Sequence, residues 1–157
     1  MNLYLAIKML HILSSVLLVG TGFGTAFYLY FANRTRCVPA IATVARLVVR
    51  ADLWFTTPAI VVQPISGMWL AHSAGWPVNT PWIVAALGLY LLAGACWLPV
   101  VWLQWMMARL AWTANAQGAS ALPLLYWRYA RYWEWLGYPA FVAMVAVYWL
   151  MVFKPAL

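Results

Sequence analysis

Charge is what this chain has least of. Its 157 residues include only two acidic side chains, Asp52 and Glu134, against nine Lys and Arg, and charged residues make up 7% of the total. A 17.7 kDa globule in water cannot cover its surface with so few charges. Disorder is excluded from the other direction, since it needs low hydrophobicity and many charges. Cysteine is scarce too: Cys37 is expected in a cytoplasmic loop and Cys96 within an apolar run, so no disulfide between them is expected, and neither belongs to a metal motif. No basic region precedes the first apolar run and no clear small-residue cleavage site follows it, so a removable secretory leader is not expected. There is no internal repeat and no low-complexity tract.

What is present in excess is apolar surface, with 68% of residues hydrophobic. A hydrocarbon core of about 30 Å takes about 20 apolar residues as a helix. Four runs satisfy that, over approximately residues 3–31, 53–71, 81–111 and 135–153, the second with an amphipathic lead-in from Pro39. Backbone groups in lipid must pair within their own segment, so these runs read as helices; they are too long and too continuously apolar for a barrel. The expected architecture is all-α: a single integral membrane domain over residues 1–157, folded as a four-transmembrane-helix bundle.

The basic residues orient it. Arg34, Arg36, Arg46 and Arg50 fall between the first two runs, and Arg109, Arg128 and Arg131 between the last two, while residues 73–80 carry no charge. With Lys8 and Lys154 alone near the chain ends, the positive-inside rule predicts N-out, C-out topology in a bacterial inner membrane. The +7 net charge is therefore mainly a topological signal, and no nucleic-acid partner is expected. Most Trp and Tyr residues lie near span ends, as aromatic belts do; Trp97, Trp102 and Trp149 lie deeper and serve either packing or the lining of a cofactor. Residues 126–133, where Arg128 and Arg131 alternate with aromatics, read as an interfacial segment suited to anionic lipid.

Polar residues inside a membrane are costly, so they point to function. In the first span Lys8, His11 and Ser15 share a helical stripe that Gly22 continues. One reading makes His11 an axial ligand of b-type haem, with Lys8 neutralising a propionate. The other makes His11 a helix–helix hydrogen-bonding group and Lys8 a marker of the membrane edge. His72 ends the second span on the same side of the membrane. It reads first as a solvent-facing interfacial residue and second as another iron ligand, because it lies nearly opposite the stripe of Asp52, Thr56, Gln63 and Gly67. Pro58 and Pro64 break the second helix, which either lines a ligand site or kinks for packing. Asp52 and Glu134 are expected to pair with Arg50 and Arg131, the sharper alternative being a proton or quinone-headgroup site. Gly20 and Gly24 form a Gly-x-x-x-Gly face on which a homodimer could pack.

Several stretches together, Lys8-Met9-Leu10-His11, Asp52-Leu53-Trp54-Phe55-Thr56-Thr57-Pro58-Ala59, Gln63-Pro64-Ile65-Ser66-Gly67 and Leu150-Met151-Val152-Phe153-Lys154-Pro155, resemble the bacterial integral membrane proteins grouped as domain of unknown function 2269. The likeness runs nearly end to end and implies architecture more than activity. The Lys-x-x-His opening is also similar to the first helices of the membrane-bound, haem-binding protoporphyrinogen oxidase and of the copper-resistance D membrane domain. The first of these implies haem on His11. The second and third spans hold no Lys to match a later intramembrane Lys of that oxidase, so porphyrinogen chemistry is not implied. The expectation is a small b-type haem protein that passes electrons to a quinone or membrane redox partner. The alternatives are a non-enzymatic structural or accessory subunit and a small dimeric transporter.

Overall fold

The computed structural model describes residues 2–155. Helix α1 (Leu3–Thr35) starts where the Asn2 side chain accepts the Tyr4 N–H at 3.1 Å, and it stops at Arg36, whose left-handed backbone (φ 57°) ends the hydrogen-bond ladder. Helix α2 (Val38–Ala51) carries Pro39 in its first turn, where a missing N–H costs nothing. A π turn (Asp52–Thr56) leads without a break into α3 (Thr57–Ser73). Gly75 at φ 76° turns the chain, and α4 (Pro81–Ala116) again opens on a proline. Gly118 at φ 66° makes the last turn before α5 (Leu124–Phe153). Among the described residues there are four helical rods and no strand.

Three of these helices, α1, α4 and α5, are long and apolar enough to cross a membrane. Only 11% of the most apolar stretch of α1 is buried inside the protein, and Leu5, Met9, Leu13, Val16 and Phe27 point outward. In water such a surface would aggregate; in lipid it is solvated. At 17 residues α3 is about 26 Å long, short of the hydrocarbon thickness by itself. Helix α5 begins at Leu124, so residues 126–133 are the first turns of the same helix and not a separate interfacial segment.

The prolines of the α2–α3 rod explain its shape. The π turn lets the Thr57 N–H reach the Asp52 carbonyl, and Thr57 Oγ1 donates to the same oxygen at 2.9 Å, so the turn just before Pro58 is closed by two bonds to one carbonyl. Pro64 has no N–H for the carbonyl of Ile60. The Tyr90 hydroxyl of α4 takes that carbonyl at 2.7 Å.

Packing concentrates at the arginine-bearing end. There α2 buries Val38, Ile41, Ala42, Ala45 and Val48, a helical stripe, against α4 and against Leu29 and Ala32 of α1. Tyr126 is wholly buried beneath them and donates to Asn33 Oδ1 at 2.6 Å. A smaller cluster of Trp82, Ile83, Ala86, Val147 and Leu150 closes α4 on α5 at the opposite end. Here α1 packs on α3 and α4 packs on α5, and the Tyr90 bond and one from the Tyr148 hydroxyl to the Ser15 carbonyl (3.1 Å) tie the two pairs together. A Cβ added at Gly20, Gly22 or Gly24 would meet nothing within 4 Å, so no helix of the chain uses that face.

Tyr90→Phe should therefore lower stability by about 0.6–1.7 kcal/mol, the range of cross-helix hydrogen bonds in membranes. On a Pro64→Ala background, where residue 64 supplies its own N–H to Ile60, the cost should shrink; unfolding of the four variants in detergent measures the coupling.

Candidate functional site

Between the two helix pairs lies a cavity of about 350 Å³. Residues from α1, α3, α4 and α5 line it, and so do Trp76 from the connection before α4 and Lys154 after α5. The sequence stripe of Lys8, His11 and Ser15 faces into it, as do Gln63 and Gly67 from α3.

The polar wall is one hydrogen-bonded chain. Ser66 Oγ sits 2.6 Å from the Val62 carbonyl and must donate there, so it accepts from His11 Nδ1–H at 2.8 Å. That assignment leaves the lone pair on His11 Nε2, which faces Gln63 Nε2 at 3.3 Å. The Gln63 amide oxygen in turn accepts from Ser14 Oγ. Ser14 and Ser66 are buried and His11 is half-buried. Gln63, Ser66 and Gly67 meet the histidine because i, i+3 and i+4 share a helical face. Gly67 makes room for the ring: a Cβ at that position would lie 3.0 Å from His11 Cε1, so the imidazole would have to give way by a few tenths of an ångström.

The rim is positive. Lys8 is exposed at the start of α1, one turn above His11. Lys154 caps α5 in a left-handed conformation (φ 43°), its N–H on the Leu150 carbonyl, and its ammonium lies 5.8 and 5.9 Å from the ring centres of Trp76 and Trp82. Neither Asp52 nor Glu134, the only acids in the chain, lines the cavity. The walls are otherwise apolar, with Met68, Met144 and Met151 among them.

Several expected residues fall elsewhere. His72 is exposed in the last turn of α3 and is not part of the cavity wall. Ser15 lines the cavity but its hydroxyl bonds back to the Ile12 carbonyl at 2.8 Å, and Ser14 makes the contact with α3 instead. Asp52 is buried and accepts from Thr56 Oγ1 at 2.9 Å; it pairs within its own helix and not with Arg50, because the π turn points it into the protein. Glu134 is half-buried on α5, away from the cavity. Trp97, Trp102 and Trp149 do not line it; Trp102 packs edge-on against Tyr129 and Trp149 beside Phe153. The aromatic lining comes from Tyr4, Trp76, Trp82, Tyr90 and Tyr148. Ser66 and Lys154 were visible in the sequence only as a small polar residue and a terminal charge; nothing local tied either to His11.

Among the described residues no group of three or more His, Cys, Asp and Glu could hold a metal ion. A single neutral imidazole with its Nδ1–H fixed is still a good ligand for a metal that arrives with its other coordination positions filled. The two ammonium groups suit carboxylate or phosphate arms on the same molecule.

Gly67→Ala should cost about 1–3 kcal/mol by forcing the His11 ring out of place. Combined with His11→Ala, which removes the obstacle, its cost should fall below about 0.5 kcal/mol, read from thermal unfolding of the purified variants.

No curated protein matches the chain, and no solved structure does. A family model described as predicted integral membrane protein, DUF2269, matches residues 5–155, nearly the whole chain. The all-helical fold and its long apolar helices agree with that description. The chain belongs to this family of integral membrane proteins.

Proposed function

We propose that the protein is a four-span component of the bacterial inner membrane, N-out and C-out, whose outer cavity binds b-type haem. The carrying observation is that residues far apart in sequence, Lys8, His11 and Lys154, converge on one apolar cavity. His11 Nε2 would ligate the iron, with Ser66 holding the opposite ring nitrogen, and Lys8 and Lys154 would neutralise the propionates. Gln63 would give up its long contact to Nε2 and keep its bond to Ser14. At about 350 Å³ the cavity is near the lower limit for ligand sites, and the flexible thioether side chains of Met68, Met144 and Met151 are the parts of its wall best able to yield. Bound haem would supply a one-electron iron centre for exchange with a quinone or a membrane redox partner.

Protein purified from haem-replete membranes should show a reduced-minus-oxidised haem spectrum that His11→Ala abolishes. Ser66→Ala should weaken haem affinity about 10–100-fold, the usual cost of losing a partner that orients a ligand. Lys8→Gln with Lys154→Gln should weaken binding without moving the band. Absence of the band from the native protein, or a band indifferent to His11→Ala, sinks the proposal.

One observation favours an accessory, non-enzymatic role instead: both His11 ring nitrogens already have partners within the α1–α3 network. On that reading His11→Ala lowers stability and no haem copurifies. A dimeric transporter would place its partner on the open Gly20 and Gly24 face.

The orientation has its own test in Cys37, which is free and exposed between α1 and α2. A membrane-impermeant maleimide should label it in inverted vesicles and leave it unlabelled in intact spheroplasts.

A further inference from the structure

At the end of the bundle opposite the lysine-rimmed cavity, a second cavity of about 400 Å³ lies between α2 and α4. Arg46, Arg50 and Arg109 line it, with Trp105 and Trp112 at its sides and Val49 and Ala108 completing the wall. The elements explain the convergence. The buried stripe of α2 faces α4 and α1, which leaves Arg46 and Arg50, one turn apart, on its outer flank. Trp105, Arg109 and Trp112 share a face of α4 by the same i, i+4 and i+3 spacing. The Arg46 guanidinium stacks over Trp112 at 4.1 Å, and that of Arg109 lies 5.8 Å over Trp105.

No carboxylate lines this cavity, although Asp52 is only two residues from Arg50. Asp52 is turned into the protein onto Thr56, and the other acid, Glu134, is on α5. Three positive charges, two of them placed over indole rings, therefore face one apolar-floored cavity without a counterion in its lining. Guanidinium groups present a planar fork that matches phosphate oxygens two at a time, and stacking on indole holds them in position while leaving their N–H edges free. Tryptophan and arginine together at the end of apolar helices mark the depth of the lipid headgroups.

We propose that the Arg46–Arg50–Arg109 cavity binds a phosphate ester, and that in the membrane this is the headgroup of an anionic phospholipid whose chains lie along α2 and α4. The site does not depend on the haem reading; it uses a different end of the bundle and none of the same residues. The headgroup would bridge α2 to α4 and cancel repulsion among the three arginines.

The test uses full-length protein in neutral detergent, titrated with phosphatidylglycerol, cardiolipin, phosphatidylcholine or inorganic phosphate. Lipid retention is read by native mass spectrometry and the thermal midpoint is followed in parallel. Anionic lipids should be retained and raise the midpoint, whereas phosphatidylcholine should do neither. Arg46→Gln with Arg50→Gln and Arg109→Gln should weaken retention about tenfold or more, equivalent to about 1.4 kcal/mol or more. Removing charge at the same end but outside the cavity, by Arg34→Gln with Arg36→Gln, should leave it within about twofold. Arg46→Lys, which keeps the charge and loses the fork and the stacking, should fall between the two. A loss of about tenfold or more in the Arg34→Gln, Arg36→Gln variant as well overturns the site in favour of general charge attraction. Inorganic phosphate that binds as tightly as the lipids and is not displaced by them overturns the lipid assignment in favour of a soluble phosphate. If the triple variant does not fold, Arg109→Gln alone carries the comparison, and unchanged lipid retention by that variant overturns the proposal.

Discussion

A helix interrupted by Pro64 in apolar surroundings must find a partner for the Ile60 carbonyl that the proline leaves unpaired. Away from water the penalty for an orphaned group is several kcal/mol, or about the whole net stability of a small bundle. The protein answers with the Tyr90 hydroxyl from α4. That answer shapes the molecule. It joins α3 to α4 by a hydrogen bond where apolar packing is thin, so the α1–α3 and α4–α5 pairs stand together with a cavity between them.

That cavity's polar wall obeys the same rule. His11, Gln63, Ser14 and Ser66 could each be expensive in an apolar surrounding, and each is paired with another. Glycine at position 67 allows the two helices to approach until the imidazole touches the α3 backbone face. The network therefore serves packing and orientation at once: it holds α1 on α3 and fixes which imidazole nitrogen keeps a lone pair.

The two ends of the bundle use different cations. Compact ammonium groups of Lys8 and Lys154 stand at the rim of one cavity, while guanidinium groups stacked on indole surround the other. Lysine is a flexible point charge and arginine a rigid fork, so the first end would suit varied anionic arms and the second the paired oxygens of a phosphate. The acids stay out of both cavities, which keeps both fields positive.

The helical, membrane-embedded character of the chain was legible in composition and run length, because lipid permits so few backbone solutions. The stripe of Lys8, His11 and Ser15 was legible too, since residues three and four apart on one helix must share a face. Other features were not. The choice of Ser14 over Ser15, the turning of Asp52 away from Arg50, and the placing of Trp82 and not Trp97 beside the cavity all depend on helix rotation, which local spacing does not specify. Lys154 joins His11 across most of the chain because α5 runs back toward the start of α1, a relation that only the assembled bundle sets. The sequence by itself determined what must be buried in lipid and which groups need partners. The tertiary structure decided which partners they have, because hydrogen bonds between helices depend on rotation and proximity that only the assembled bundle sets.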